Sequence, residues 1–204
     1  ERRKELLRRF YDHPCWTARL DARRELLKLD PAAPWPAAPA PTAEDEALLA
    51  EAERLLARGA PVRLRIEFSG GRRATLRLDP TNAPMNVADL ARLAKRGFFD
   101  GRLAPRVVPD FVVQMGSPYD TMDGGPGYTV RCEDSLAFYG PGSVGMALSG
   151  KDTGGSQFFV TTNATPHLTG RYTRVGELED PDRALPLFDA LELGARIESV
   201  AVVP

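Results

Sequence analysis

From residue 61 onward the apolar positions alternate. Val62, Leu64, Ile66 and Phe68 fall on one side of an extended chain, and Arg63, Arg65 and Glu67 on the other, which is the period-two signature of a half-buried strand. Gly70 and Gly71 can supply the positive φ angles of a two-residue hairpin turn, and Leu76 and Leu78 resume the alternation on a returning strand. A β-hairpin is therefore expected to open a domain here.

Upstream the period is helical. Leu48, Leu49, Ala52, Leu55 and Leu56 form a stripe ending at Gly59, and Thr42 with Asp45 gives a capping-box start, so the pattern predicts a helix near 43–58. Leu6, Leu7 and Phe10 recur at helical spacing until His13 and Pro14 interrupt. A second run follows, with Thr17 as cap and Trp16, Leu20 and Leu27 near one face, until Asp30 and Pro31 stop it. Residues 31–41 read PAAPWPAAPAP, five prolines among alanines, a composition that favours an extended spacer.

Downstream, Asn86 with Asp89 three residues on, preceded by Pro84, predicts a further helix carrying Val87, Leu90, Leu93 and Ala94 to Gly97. Beyond it, glycines from Gly116 to Gly145 punctuate apolar pieces too short for helices, which suits a barrel or sandwich. One late helix after Pro181 and a closing strand near 196–203 complete the pattern. The chain thus divides into a helical extension (1–30), a Pro/Ala linker (31–42), a helix leading into the domain (43–60) and a mainly β domain (61–204).

Composition narrows the function. The 204 residues are 43% hydrophobic, enough for a core, and 27 basic against 28 acidic residues give a net charge of −1. No global field would hold nucleic acid or an anionic membrane, so neither is an expected partner. No apolar run approaches the roughly 18 residues of a membrane helix. The chain begins at Glu1 without a methionine, which suggests a fragment or processed product, and the compartment stays open between the cytoplasm and the space outside the inner membrane.

Gly145, Gly150 and Lys151 match part of a phosphate-binding loop. Asp152, however, stands where a hydroxyl should meet magnesium, so nucleotide binding is not expected. The two histidines, His13 and His167, and two distant cysteines, Cys15 and Cys132, offer neither a nucleophile with its base nor a metal cluster. No metal and no cofactor are expected.

Five separated pieces then point one way: Phe98 to Gly101 (FFDG), Arg106 to Phe111 (RVVPDF), Gln114, Gly124 to Tyr128 (GGPGY) and Gly155 to Phe159 (GSQFF). In order and spacing they resemble the cyclophilins of bacterial type, over about residues 61–204. The resemblance implies a mainly β fold, a closed eight-stranded antiparallel barrel capped by two helices, here with an N-terminal helical extension. It also implies a peptidyl-prolyl cis-trans isomerase groove on the outer wall, acting on proline-containing polypeptides and assisting protein folding.

Carried over residue by residue, it makes Arg106 the catalytic donor. The substrate-binding set is Phe111, Val112, Gln114, Ala147, Leu148, Gln157, Phe159, His167, Leu168 and Tyr172, of which Phe111, Val112, Phe159 and Leu168 form the proline pocket. The sequence departs from the family pattern at Pro105, Leu148 and Tyr172. His167 replaces a frequent tryptophan, which predicts weak cyclosporin affinity, and Val175 replaces a phenylalanine, which is expected to loosen the pocket. A monomer is expected. The competing expectation is a noncatalytic module that holds proline segments while the extension docks a partner.

Overall fold

A computed structural model of the chain describes residues 1–13, 16–37 and 40–204. The interruption at Pro14, the thiol of Cys15 and the side chains of Trp16 and Thr17 lie outside what it describes. The chain forms two compact units, residues 1–46 and 47–204.

In the first unit, helix α1 (Arg2–Arg9) continues as a short 3-10 turn at Phe10–Asp12 and is followed by α2 (Trp16–Leu27). The Pro/Ala stretch lies back on these helices. Tyr11 donates its hydroxyl to the carbonyl of Pro34 at 2.9 Å, Arg19 Nη1 donates to the carbonyl of Ala37 at 2.6 Å, and the Arg23 guanidinium stacks 3.6 Å from the Trp35 ring centroid. Residues 33–37 are thereby anchored. Helix α3 (Ala43–Arg58) starts with the expected capping box: the Thr42 N–H donates to Asp45 Oδ2 at 2.8 Å and the Asp45 N–H to Thr42 Oγ1 at 3.2 Å. Such a cap stabilises a helix by about 1 kcal/mol. It also holds the Asp45 carboxyl below the usual carboxylate range.

The second unit is one eight-stranded antiparallel sheet. Strands β1 (Val62–Phe68) and β2 (Arg72–Leu78) form the predicted hairpin. Phe68 pairs with Arg72, so the loop holds Ser69, Gly70 and Gly71, one residue more than expected, with φ of 81° at Gly70 and 73° at Gly71. The remaining strands are β3 (Arg106–Val108), β4 (Val112–Met115), β5 (Ser143–Met146), β6 (Phe158–Thr161), β7 (Arg174–Leu178) and β8 (Ile197–Val203). Their spatial order is β3-β4-β6-β5-β7-β2-β1-β8.

Closure differs from the expectation. The sheet is curled but open between β3 and β8, whose approaches meet at the Leu103–Arg196 bridge, flanked by backbone bonds from the Ile197 N–H to the Arg102 carbonyl at 2.7 Å and from the Ala104 N–H to the Ala195 carbonyl at 2.8 Å. Pro105 follows at once. It has no N–H to extend a ladder, and β3 is only three residues long, so the edges touch without pairing as strands.

Helices α4 (Pro84–Lys95) and α5 (Pro181–Asp189) pack on the sheet, α4 against β1 and β8, α5 against β2 and β7. The start of α4 is not capped from within. Asn86 and Asp89, read as its cap, are buried inside it. The Glu133 carboxylate, 47 residues on from Asn86, accepts the N–H of Met85 at 3.0 Å and of Asn86 at 2.9 Å. A carboxylate suits that position because the first amides of a helix lack partners and carry its positive dipole end.

Candidate active site

Strands β4, β5 and β6 bury side chains on both faces. Val113, Met115, Val144, Met146, Phe158 and Val160 point into the main core beside Leu64, Ile66 and Phe68 of the hairpin. Their strand neighbours face the other way. Val112 and Phe159 join Tyr139 and Leu168 in a second buried cluster, with Phe111, Ala147 and Tyr172 packed at its edge. This alternation along a strand lets one short sheet segment carry a core on one face and an apolar pocket on the other.

Register lines up the polar groups. Arg106 pairs with Gln114, Gln114 with Phe159, and Phe159 with Gly145, across β3, β4, β6 and β5. Directly opposed residues share a face. Arg106 is half-buried, with its guanidinium carbon 5.5 Å from the Phe111 ring centroid and Nη1 donating to Gln114 Oε1 at 3.4 Å. Among the described residues no carboxylate pairs with it, so its charge is held by an aromatic face and an amide oxygen only.

Gln114 in turn donates Nε2 to Gln157 Oε1 at 2.9 Å. Gln157 donates both amide hydrogens to the chain, to the carbonyls of Met122 at 3.1 Å and Gly124 at 2.8 Å. Its donors are therefore used up. Gln157 fixes Gln114 and the 122–124 loop, and Gln114 fixes Arg106.

The apolar side opens as a cavity of about 440 Å³ lined by Phe111, Leu148, Gly150, Lys151, His167, Leu168, Arg171 and Tyr172. His167 is exposed and stacks on Phe111, ring centroids 5.5 Å apart. Phe159 lies stacked on Tyr139 at 5.8 Å and edge-on to Tyr172 at 5.9 Å.

All eleven residues singled out from the sequence are thus brought together: three as a hydrogen-bonded chain, the others as the cluster and the cavity wall. Val175 is not among them. It is fully buried with the main core, so valine in place of phenylalanine does not loosen this cavity as expected.

Sequence reasoning missed Tyr139. It is fully buried beneath Phe159, donates its hydroxyl to the Tyr172 carbonyl at 3.3 Å, and its burial pushes the phenol well up from the usual tyrosine value. The signal for it was Gly145. A Cβ there would lie 2.6 Å from Phe159 Cζ and closer still to Tyr139 Oη, so the strand leaves a gap for the two rings. Lys151, Arg171 and Gly150 were also not assigned to the site.

Among the described residues no group of three or more His, Cys, Asp or Glu side chains could hold a metal ion. No described helix is long and apolar enough to cross a membrane.

Known proteins resemble both the sequence and the fold. A family model described as cyclophilin type peptidyl-prolyl cis-trans isomerase/CLD matches residues 63–196. The chain is 41% identical over 133 residues to a peptidyl-prolyl cis-trans isomerase of Synechococcus elongatus, spanning 64% of this chain and 91% of that protein. It is 44% identical over 110 residues to peptidyl-prolyl cis-trans isomerase B of Bacillus subtilis, 53% of this chain and 77% of that protein. A crystal structure of a cyclophilin type peptidyl-prolyl cis-trans isomerase of Cryptosporidium parvum shares the fold, with a TM-score of 0.64 at 23% identity over 71% of this chain and 98% of that one.

Proposed function

The chain belongs to the cyclophilin-type peptidyl-prolyl cis-trans isomerase family, and from that premise we propose how its own residues turn an X-Pro bond in a polypeptide, an activity that would assist folding. Rotation about such a bond is slow because amide resonance must be lost, a barrier of about 18–20 kcal/mol. No covalent step is needed. The enzyme has only to bind the twisted amide more tightly than either planar form.

Arg106 does this by donation. In the twisted state the prolyl nitrogen becomes pyramidal and regains a lone pair, and a guanidinium N–H aimed at it stabilises that state selectively. The pyrrolidine ring is held by burial against Phe111, Val112, Phe159 and Leu168, which fixes one side of the bond while the other turns. Gln114 keeps Arg106 aimed and contacts the substrate backbone with the donor it has left. Gln157, its own donors engaged, acts through Gln114, and Ala147, Leu148, His167 and Tyr172 border the bound segment.

The observation that carries this reading is the Arg106–Gln114–Gln157 chain standing on the same sheet face as the second apolar cluster. We further infer that the curled sheet works as a closed barrel through the Leu103–Arg196 bridge, keeping β3 and its arginine fixed at the rim.

Exchange NMR on an Ala-Pro peptide tests the activity. Cis and trans signals are expected to exchange far above the uncatalysed rate at substoichiometric enzyme. Binding of the peptide by folded protein with no gain in exchange would instead favour a noncatalytic proline-binding module.

A further inference from the structure

The cavity is larger than its proline seat. Its volume of about 440 Å³ falls in the range that holds a drug-sized ligand, more than one pyrrolidine ring fills. Past Phe111, His167 and Leu168 it is bounded by Leu148, Gly150, Lys151 and Arg171, so two of its lining residues are cations and none is an acid.

The two cations differ. Lys151 is already ion-paired with Asp134. Arg171 is exposed, and among the described residues no hydrogen bond or ion pair holds its guanidinium. Its backbone is tied to the wall, the Arg171 N–H donating to the Leu168 carbonyl at 3.1 Å. The charge is therefore tethered beside the proline seat while its head stays open to a ligand.

Nearby acids are engaged elsewhere. Asp134 faces Lys151, Asp152 accepts the Cys132 N–H at 2.9 Å, and Glu133 caps α4. In a chain of net charge −1, Arg171 thus stands at the cavity rim as a cation that no described carboxylate pairs. A guanidinium offers two parallel donors that match a carboxylate.

We infer that Arg171 makes this cavity select polypeptides with an acidic side chain flanking the proline. The inference rests on the isomerase reading of the same site and names its substrate class. Arg171 borders the cavity that Phe111 and Leu168 also line, and a residue one or two positions from a proline seated there lies within reach of a long arginine side chain, given about 3.3–3.6 Å of advance per residue.

The test uses the full chain and proline peptides that carry Glu, Gln or Lys one or two positions before or after the proline. Binding is read by chemical-shift titration and turnover by exchange NMR, at low and high salt. The Glu peptide in one flank is expected to surpass its Gln counterpart about two- to fivefold in kcat/KM, the size of an exposed charge pair, through KM rather than kcat, and to lose the advantage at high salt. Arg171→Gln should bring the Glu/Gln ratio to one, and Arg171→Glu should turn the preference toward the Lys peptide.

Equal kcat/KM for Glu, Gln and Lys peptides in both flanks would overturn the inference, as would a Glu preference that persists in Arg171→Gln. Turnover of none of the peptides by folded protein would contradict the isomerase reading instead. The Glu/Gln ratio of dissociation constants would still decide on Arg171.

Discussion

Gln114 and Gln157, 43 residues apart in sequence, are joined by a 2.9 Å hydrogen bond from Gln114 Nε2 to Gln157 Oε1. Because Gln157 is also held by the carbonyls of Met122 and Gly124, the bond ties the β3–β4 pair to the loop beyond β4. Gln157 is in this account a positioning residue for Gln114 and, through it, for Arg106.

Replacing Gln157 with Leu should therefore lower kcat/KM through looser aim of Arg106. A loss of about 3- to 10-fold is expected, the worth of one or two hydrogen bonds, carried mainly by kcat. Exchange NMR at several peptide concentrations separates kcat from KM. A change confined to KM would show direct substrate contact instead.

Gly145→Ala should damage the pocket from below. The added methyl meets Tyr139 and Phe159 at once, and overpacking of this kind costs about 1–3 kcal/mol. A fall in the urea midpoint with unchanged slope, together with loss of activity, is the expected pair of results. Tyr139→Phe combined with Gly145→Ala should recover part of both, since the nearest clashing atom is then gone.

Tyr139 also predicts an alkaline weakness. Its phenol titrates higher in the folded chain than when unfolded, because burial penalises the anion. Below about pH 10, where an unfolded tyrosine is still neutral, the group costs nothing. Above it the unfolded chain ionises and the folded chain does not, so stability falls as pH rises. Urea midpoints between pH 8 and 11 should drop less in Tyr139→Phe than in the wild type, after a loss of about 1 kcal/mol at pH 8 from the bond to Tyr172.

Cyclosporin should inhibit weakly. His167 is exposed on Phe111 where the resemblance leads one to expect a tryptophan, and an imidazole offers less apolar area than an indole. His167→Trp is expected to tighten inhibition about tenfold, the effect of a good aromatic contact. Nanomolar inhibition of the wild type would contradict this.

The sequence made some of this legible and concealed the rest for physical reasons. The β1–β2 hairpin and α3 were plain because each has one wet face, so period and burial agree. Strands β4 and β6 have none. VVQM and FFVT are buried on both sides, and only the resemblance told Phe159 of the pocket from Phe158 of the core. The cap of α4 was misread because its true partner, Glu133, is distant in sequence, while Asn86 and Asp89 merely fit the local spacing. Arg171 was overlooked because an exposed cation in a loop carries no pattern, and Lys151 was weighed only as part of a broken phosphate loop; their place in the site comes from the cavity they border. The open edge between β3 and β8 was foreshadowed only by Pro105, whose missing N–H is a property of one residue rather than of a motif.

Arg106 carries the proposed chemistry. Substituting it with Ala removes the donor while leaving the pocket, Gln114 and the fold in place, since the side chain is half-buried at a short edge strand and pairs with no described carboxylate. Exchange NMR on an X-Pro peptide should then show kcat/KM lower by about 100- to 1000-fold, the usual loss of one transition-state donor, with an unchanged urea midpoint and nearly unchanged peptide binding. An Arg106→Ala protein that turned the peptide at close to the wild-type rate would contradict the mechanism directly.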